Sequence, residues 1–82
     1  MIKSFEDPIV NDENLHLFEL FWDDTFLAVF IFNKNRFSYV YAEEQAIEYS
    51  KFLKSAYPAG TLYYYPFNKP RQVVLHMIWK EK

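Results

Sequence analysis

The sequence predicts an α+β fold in which an antiparallel sheet of four to five strands carries one helix on one face. Two segments, FLAVFIF (Phe26–Phe32) and VVLHMIW (Val73–Trp79), are apolar at successive positions, which is typical of strands buried on both faces. A third segment, Ala42–Tyr57, has the apolar spacing of an amphipathic helix. Because one helix covers only part of a five-stranded sheet, we expect something else to cover part of the apolar strand surface.

Length and composition indicate one small, aromatic-rich domain. At 82 residues, folding buries only about 60% of the surface of the unfolded chain. Nine Phe, seven Tyr and two Trp compensate, because each ring can bury about 150–250 Å². The hydrophobic share of 51% and the net charge of −2 exclude an intrinsically disordered chain. The chain has no cysteine, which excludes disulfides and thiolate metal sites and is typical of a reducing compartment.

The first residues predict neither a leader nor a membrane anchor. Glu6, Asp7 and Pro8 interrupt the apolar run that a signal peptide requires. No stretch approaches the roughly 18 apolar residues of a membrane-spanning helix. We therefore expect a cytoplasmic protein with an N-terminal arm over residues 1–14 and a single α+β domain over residues 15–82.

Three strands are predicted before the helix. LHLFELFW (Leu15–Trp22) reads as a strand. A short helix is the alternative, because the apolar spacing fits both the two-residue period of a strand and the 3.6-residue period of a helix. A turn at Asp23-Asp24 then connects this segment to the strand Phe26–Phe32. The Asn-Lys-Asn sequence at residues 33–35 predicts a hairpin turn, since Asn tolerates positive φ. RFSYVY (Arg36–Tyr41) then predicts a third strand.

The single helix is predicted over Ala42–Tyr57. Glu43 and Glu44 near its start and two Lys residues later in it would complement the helix dipole. Its predicted inner stripe consists of Ala46, Tyr49, Ser50, Leu53 and Tyr57.

Two strands are predicted after the helix. Gly60, the only glycine, predicts a left-handed residue just beyond the helix end. Thr61–Phe67 predicts an edge strand, because Pro66 lacks the N–H that a central strand needs. Gln72–Trp79 predicts the last strand, and the order is therefore β-β-β-α-β-β.

The two halves of the chain carry opposite charge. Residues 1–50 contain three basic and ten acidic side chains, a net charge of −7. Residues 51–82 contain six basic side chains and one acidic side chain, a net charge of +5. If the halves also separate in space, such a bipolar molecule would steer charged partners.

The predicted sheet leaves aromatic side chains on the face that has no helix. Tyr and Trp often anchor interfaces, because each offers a large rigid surface with a polar tip. Two alternatives would remove this surface: the sheet curls into a small barrel, or the N-terminal segment forms a second helix over that face. The candidate partner-binding residues are the aromatic anchors Phe37, Tyr39, Tyr63, Tyr65 and Trp79 and the charged residues Lys69 and Arg71.

These features predict a small module that binds and occludes a protein partner through an aromatic sheet face or an edge strand, in the manner of phage or mobile-element inhibitors of a host protein. The second hypothesis is binding of RNA or single-stranded nucleic acid, with Tyr63–Tyr65 stacking on bases beside Lys69 and Arg71. The isoelectric point of about 5.6 argues against it. The third hypothesis is a structural homodimer formed through the same surface.

No motif predicts catalysis. His16 and His76 lack the spacing of metal ligands, and the side chains of the neighbouring pairs Asp23-Asp24 and Glu43-Glu44 diverge. A chain with one glycine cannot form a glycine-rich phosphate loop. We therefore expect no enzyme activity, no cofactor and no metal.

Overall fold

The computed structural model describes residues 13–53 and 57–79. These residues form an α+β fold of one four-stranded antiparallel sheet and one helix, which confirms the predicted fold class. Residues 1–12 of the predicted N-terminal arm lie outside the described residues. The elements are β1 (Leu15–Trp22), β2 (Thr25–Asn33), α1 (Tyr39–Ser50) with a 3₁₀ turn at Lys51–Leu53, β3 (Ala59–Tyr64) and β4 (Gln72–Ile78).

The strand order in the sheet is β2-β1-β3-β4, with every neighbouring pair antiparallel. LHLFELFW is thus a strand rather than a helix. The prediction that Thr61–Phe67 is an edge strand was wrong, since β3 lies inside the sheet. The strand ends at Tyr64, so Pro66 lies outside the ladder and its missing N–H costs no hydrogen bond. The edges are β2 and β4, and they do not close into a barrel.

The predicted strand Arg36–Tyr41 does not exist. Its first residues form a turn in which the amides of Arg36 and Phe37 both donate to the Asn33 carbonyl. The helix then begins at Tyr39, because the Ser38 hydroxyl accepts a hydrogen bond from the Tyr41 amide at 3.1 Å and caps the first turn. The β-forming residues Tyr39, Val40 and Tyr41 are therefore helical, and the first turn has no acidic residue.

The helix packs through small residues, and its predicted inner stripe was only partly right. The buried positions are Ala42, Ala46 and Ser50, four residues apart, and they let the helix lie close to the sheet. The Ser50 hydroxyl donates to the Ala46 carbonyl at 2.7 Å. Tyr49 is 45% exposed, and Tyr57 lies beyond the helix, where its ring contacts Trp22.

The core lies between α1 and one face of the sheet, which we call the helix face. Phe18 and Leu20 of β1 and Leu62 of β3 are fully buried there, and Met77 of β4 is nearly so. The opposite face, which we call the second face, carries Leu17, Glu19 and Phe21 of β1 together with their cross-strand neighbours. Within residues 13–53 and 57–79 no helix or strand lies over the second face.

Gly60 has an ordinary φ and lies in β3, so the prediction of a left-handed residue was wrong. A glycine is needed there for another reason. A Cβ on Gly60 would lie 2.5 Å from Trp79 Cη2 and 3.0 Å from Leu20 Cδ1. The backbone of β3 thus passes directly beneath the Trp79 ring. Positive φ occurs instead at Asp23 and Asn68, and not at the turn of residues 33–35.

Candidate functional site

The seven candidate residues are divided between the two faces of the sheet. Phe37, Tyr39 and Trp79 belong to the helix face, where Tyr39 and Trp79 pack against the core. Tyr63, Tyr65 and Arg71 lie together on the second face. Lys69 is exposed in the turn before β4. The structure therefore brings three of the seven together and does not join all seven into one surface.

Phe37 and Tyr39 hold the start of α1 against the sheet through His16. This imidazole is 7% exposed, and its Nε2 lies 3.2 Å from the Phe37 carbonyl. Since a carbonyl only accepts, Nε2 carries the proton, and Nδ1 accepts from the Tyr64 hydroxyl at 3.3 Å. Burial lowers the pKa of His16 and raises the pKa values of Tyr39 and Tyr64, so all three groups are held neutral.

Arg71 and Tyr63 form a stacked pair on the second face. The Arg71 guanidinium lies 3.9 Å from the centre of the Tyr63 ring and 5.3 Å from that of Phe21. Its Nη1 donates to the Tyr65 hydroxyl at 3.3 Å, and this hydrogen bond is the main cause that raises the pKa of Arg71. Tyr65 itself is 3% exposed and packs on Leu17. The face of the Tyr63 ring is thus already occupied by a cation.

These positions matter for the nucleic-acid hypothesis. Base stacking needs free ring faces on neighbouring residues. Of the three consecutive tyrosines, Tyr64 packs against Phe18 in the core, Tyr65 is buried, and Arg71 covers Tyr63. Tyr63–Tyr65 therefore offers no run of free rings to a nucleic acid.

β4 is the most exposed apolar element of the sheet. It contains no charged residue and no proline, and within the described chain no strand pairs with its outer edge. Val73 and Ile78 on the second face are 65% and 69% exposed, and Leu75 is 39% exposed. Natural sheets usually protect an edge with charges, proline or a covering segment, because free backbone N–H and C=O groups pair with other strands. An uncharged edge of this kind is a ready surface for strand addition.

A groove runs beside the end of β4. It has a volume of about 420 Å³ and is lined by Lys51, Met77, Ile78 and Trp79. The Trp79 indole Nε1 is buried and has no acceptor in the part of the chain that the structure describes, although buried donors are normally satisfied. Lys51, beyond the end of α1, is more than half exposed and lies 3.9 Å from Glu48. The groove thus combines an apolar floor with a cation at its rim.

A second cavity, of about 400 Å³, lies at the end of the second face where Phe21, Asp23, Thr61, Tyr63 and His76 meet. Thr61 Oγ1 and His76 Nδ1 are 2.7 Å apart in a solvent-exposed pair. Nucleophilic catalysis requires a third group that orients the base. Among the described residues nothing is hydrogen-bonded to His76 Nε2, and no three His, Asp or Glu side chains of this part of the chain are placed to hold a metal ion.

The sequence predicted an edge strand as a candidate surface but assigned it to Thr61–Phe67, and so missed β2 and β4 as the two edges. The uninterrupted apolar residues of Phe26–Phe32 and Val73–Trp79 suggested burial on both faces. In the structure both segments are edges, and Val29 and Ile31 of β2 are each 42% exposed. The sequence does contain a relevant feature, namely that neither strand carries a charged residue. An uncharged strand is unprotected if the sheet order places it at an edge.

Within the described residues no helix is both long and apolar enough to cross a membrane.

No protein-family model matches this chain, and comparisons with curated proteins and with solved structures give no match either.

Proposed function

We propose that this domain is a protein-binding module that adds an extended segment of a partner protein to the outer edge of β4. The observation that carries the proposal is the edge itself, which is uncharged, unpaired within the described chain and flanked by Val73 and Ile78 at 65% and 69% exposure. Strand addition supplies backbone hydrogen bonds, and side-chain pockets beside the edge supply selectivity. The groove at Trp79 is such a pocket.

The charges around β4 define the chemistry of the partner segment. Residues 57–79 contain the two basic residues Lys69 and Arg71 and no acidic residue. Lys51 stands at the rim of the groove near the other end of the strand. We therefore expect a segment in which alternating apolar residues are flanked by Asp or Glu, since opposite charge at the rim speeds encounter and fixes register.

Such a module would act by occluding the segment that it binds, and inhibition of a host protein by a phage or mobile element is one setting for it. A reducing compartment such as the cytoplasm belongs to the proposal, because the chain has no cysteine. Nucleic-acid binding through Tyr63–Tyr65 receives no comparable support, since these rings are buried or covered.

The test uses random dodecapeptides displayed on phage, selected on the immobilised protein and then measured one by one by fluorescence anisotropy. We expect recovered peptides to carry alternating apolar residues and acidic flanks. Ile78→Lys should weaken their binding about tenfold or more, because it places an unpaired charge in the interface. Lys51→Glu should also weaken it. Ile31→Lys on β2 is the matched control and should leave the affinity unchanged.

Two outcomes would refute the proposal. One is that selection recovers no peptide above background. The other is that recovered peptides bind the Ile78→Lys protein as tightly as the unmodified protein while circular dichroism shows both to be folded.

A further inference from the structure

We propose that the outer edge of β2 is a dimerisation surface, where β2 pairs antiparallel with β2 of a second copy of this chain. This inference goes beyond the proposed function, because it uses the opposite edge of the sheet. The nine residues of β2 include no charged side chain and no proline. Within the described residues no strand pairs with its outer edge. It is thus unprotected in the same sense as β4.

The two ends of β2 carry opposite charges. Asp23 and Asp24 immediately precede the strand, and Lys34 and Arg36 follow it. All four residues are exposed. None of them takes part in the ion pair of the described chain, which joins Lys51 to Glu48. Antiparallel pairing about a two-fold axis places the acidic end of one copy beside the basic end of the other. The edge is therefore complementary to itself.

One register satisfies both the strand and its ends. With the axis at Phe30, Val29 lies opposite Ile31 of the second copy, so exposed β-branched residues face each other on the second face. The same register brings the turn that contains Lys34 and Arg36 towards the turn that contains Asp23 and Asp24 of the second copy. It also places the two-fold axis near the middle of the part of β2 that pairs with β1 without a bulge. This part begins after the bulge opposite Leu20 and Phe21.

The exposed aromatic residues of α1 lie on the β2 side of the helix. Tyr49 stacks on Phe30 at 5.9 Å, and Tyr41 stacks on Phe37, whose ring meets Phe32 edge-on. Since α1 lies over β1 and strands are about 4.8 Å apart, pairing at β2 would place the two helices roughly 14 Å apart. Tyr41 and Tyr49, each 45% exposed, are positioned to fill that space.

Antiparallel pairing of β2 with β4 would bring like charges together. β4 is preceded by Lys69 and Arg71, so this pairing would place Lys34 and Arg36 beside these residues. The net negative charge of the β1–β2 half opposes β2 self-pairing only weakly, because the Debye length at physiological salt is about 8 Å.

Sedimentation equilibrium across a concentration series tests the inference. The mass should rise from 10.0 kDa to twice that value and stop there. Asp24→Lys and Arg36→Asp should each weaken self-association roughly tenfold, since each turns two attractive contacts into repulsive ones. An equimolar mixture of the two variants should restore dimers, because each heterodimer regains both opposite-charge contacts. Lys69→Asp is the matched control and should dimerise normally.

A misfolded variant would not form dimers when it is mixed with the other variant. Restored dimers in the mixture therefore show that each single variant lost charge complementarity and not its fold. Ile31→Lys gives a second check and should abolish the dimer at the centre of the edge. The inference is overturned if the unmodified protein stays monomeric at all concentrations, if its mass rises beyond a dimer, or if the mixed variants stay apart. These outcomes leave the β4 proposal untouched, because peptide binding is measured at the other edge.

Discussion

At the scale of single residues, Glu19 is a charged side chain in the middle of the sheet. It is 2% exposed, and its Oε1 has no hydrogen-bond partner among the described residues. Its cross-strand neighbours are Tyr63 in β3 and Val29 in β2, neither of which neutralises a carboxylate. Arg71 lies on the same face and attracts Glu19, but its hydrogen bond goes to the Tyr65 hydroxyl. An incompletely paired buried charge costs more free energy than a neutral group of the same shape.

We therefore expect Glu19→Gln to raise the free energy of unfolding by about 1 kcal/mol. Urea denaturation followed by tryptophan fluorescence measures the change. Glu44→Gln on the exposed side of α1 is the matched control and should change stability by less than about 0.5 kcal/mol. A loss of stability in Glu19→Gln would show instead that the carboxylate pairs favourably with Arg71.

His16 makes stability depend on pH. Burial lowers its pKa in the folded protein below the value of about 6.5 in the unfolded chain. The unfolded chain therefore binds more protons than the folded protein below pH 7. The contribution of His16 to the free energy of unfolding is complete above pH 6.5 and is lost as the pH falls below that value. One proton sets a slope of at most about 1.4 kcal/mol per pH unit.

Urea denaturation at pH 7.5 and pH 5.5 should show this loss in the unmodified protein and a smaller loss in His16→Gln. The readout is the difference between the two pH values, because the substitution also removes packing and lowers stability at both. An identical difference in the two proteins would assign the pH dependence to other groups.

At the scale of secondary structure elements, the strands were easier to predict than the helix start. The residues of β1, β2 and β4 were placed almost to their ends, since long apolar runs between polar turns leave few alternatives. Arg36–Tyr41 was misassigned because Tyr and Val favour strands, whereas the Ser38 cap and the packing of Ala42 and Ala46 decide the helix. Local propensity cannot show that packing.

The strand order could not be predicted, and this hid the candidate surfaces. Whether Phe26–Phe32 is central or peripheral depends on which strands pair at long range, and the run of apolar residues is compatible with both. Four of the seven candidate site residues lie near β4: Lys69, Arg71, Tyr63 and Trp79, of which Trp79 lines the groove. The aromatic residues chosen as anchors belong mostly to the core because large rings fill a small domain's interior first.

The contact between β3 and Trp79 gives a prediction for the groove. Gly60→Ala places a methyl group against the Trp79 ring, which must move towards the groove or strain β3. We expect a loss of about 1–3 kcal/mol in stability, as for other overpacked cores, and weaker binding of the selected peptides. Differential scanning calorimetry and anisotropy measure the two effects. Ala59→Ser, at the neighbouring position, is the control; unchanged stability of Gly60→Ala would contradict the close approach.

At the scale of the whole molecule, the charge asymmetry of the chain also separates the two sides of the sheet. Among the described residues, the order β2-β1-β3-β4 places the strands of the acidic part, residues 13–50, on one side and the strands of the basic part, residues 57–79, on the other. Each half ends in an uncharged edge strand, but the charges beside the edges differ. The charges beside β2 are acidic at one end and basic at the other, and they are complementary to those of a second copy. The charges beside β4 are basic, and they are complementary to an acidic partner segment.

Under the two proposals, the edges with different charge surroundings would serve two different purposes. Pairing at β2 would make an eight-stranded sheet that ends in β4 on both sides, so a dimer would present two binding edges. Two linked sites raise the avidity for a partner that carries two segments, without any new contact in either site.

Backbone amide hydrogen exchange, with and without a peptide selected on the protein, tests strand addition at β4 most directly. The outward amides of β4 have no partner within the described chain and should exchange fast in the free protein. Bound peptide should slow exchange in Gln72–Ile78 and leave the amides of Thr25–Asn33 unchanged. Protection that appears elsewhere while Gln72–Ile78 continues to exchange fast would contradict the proposed binding edge.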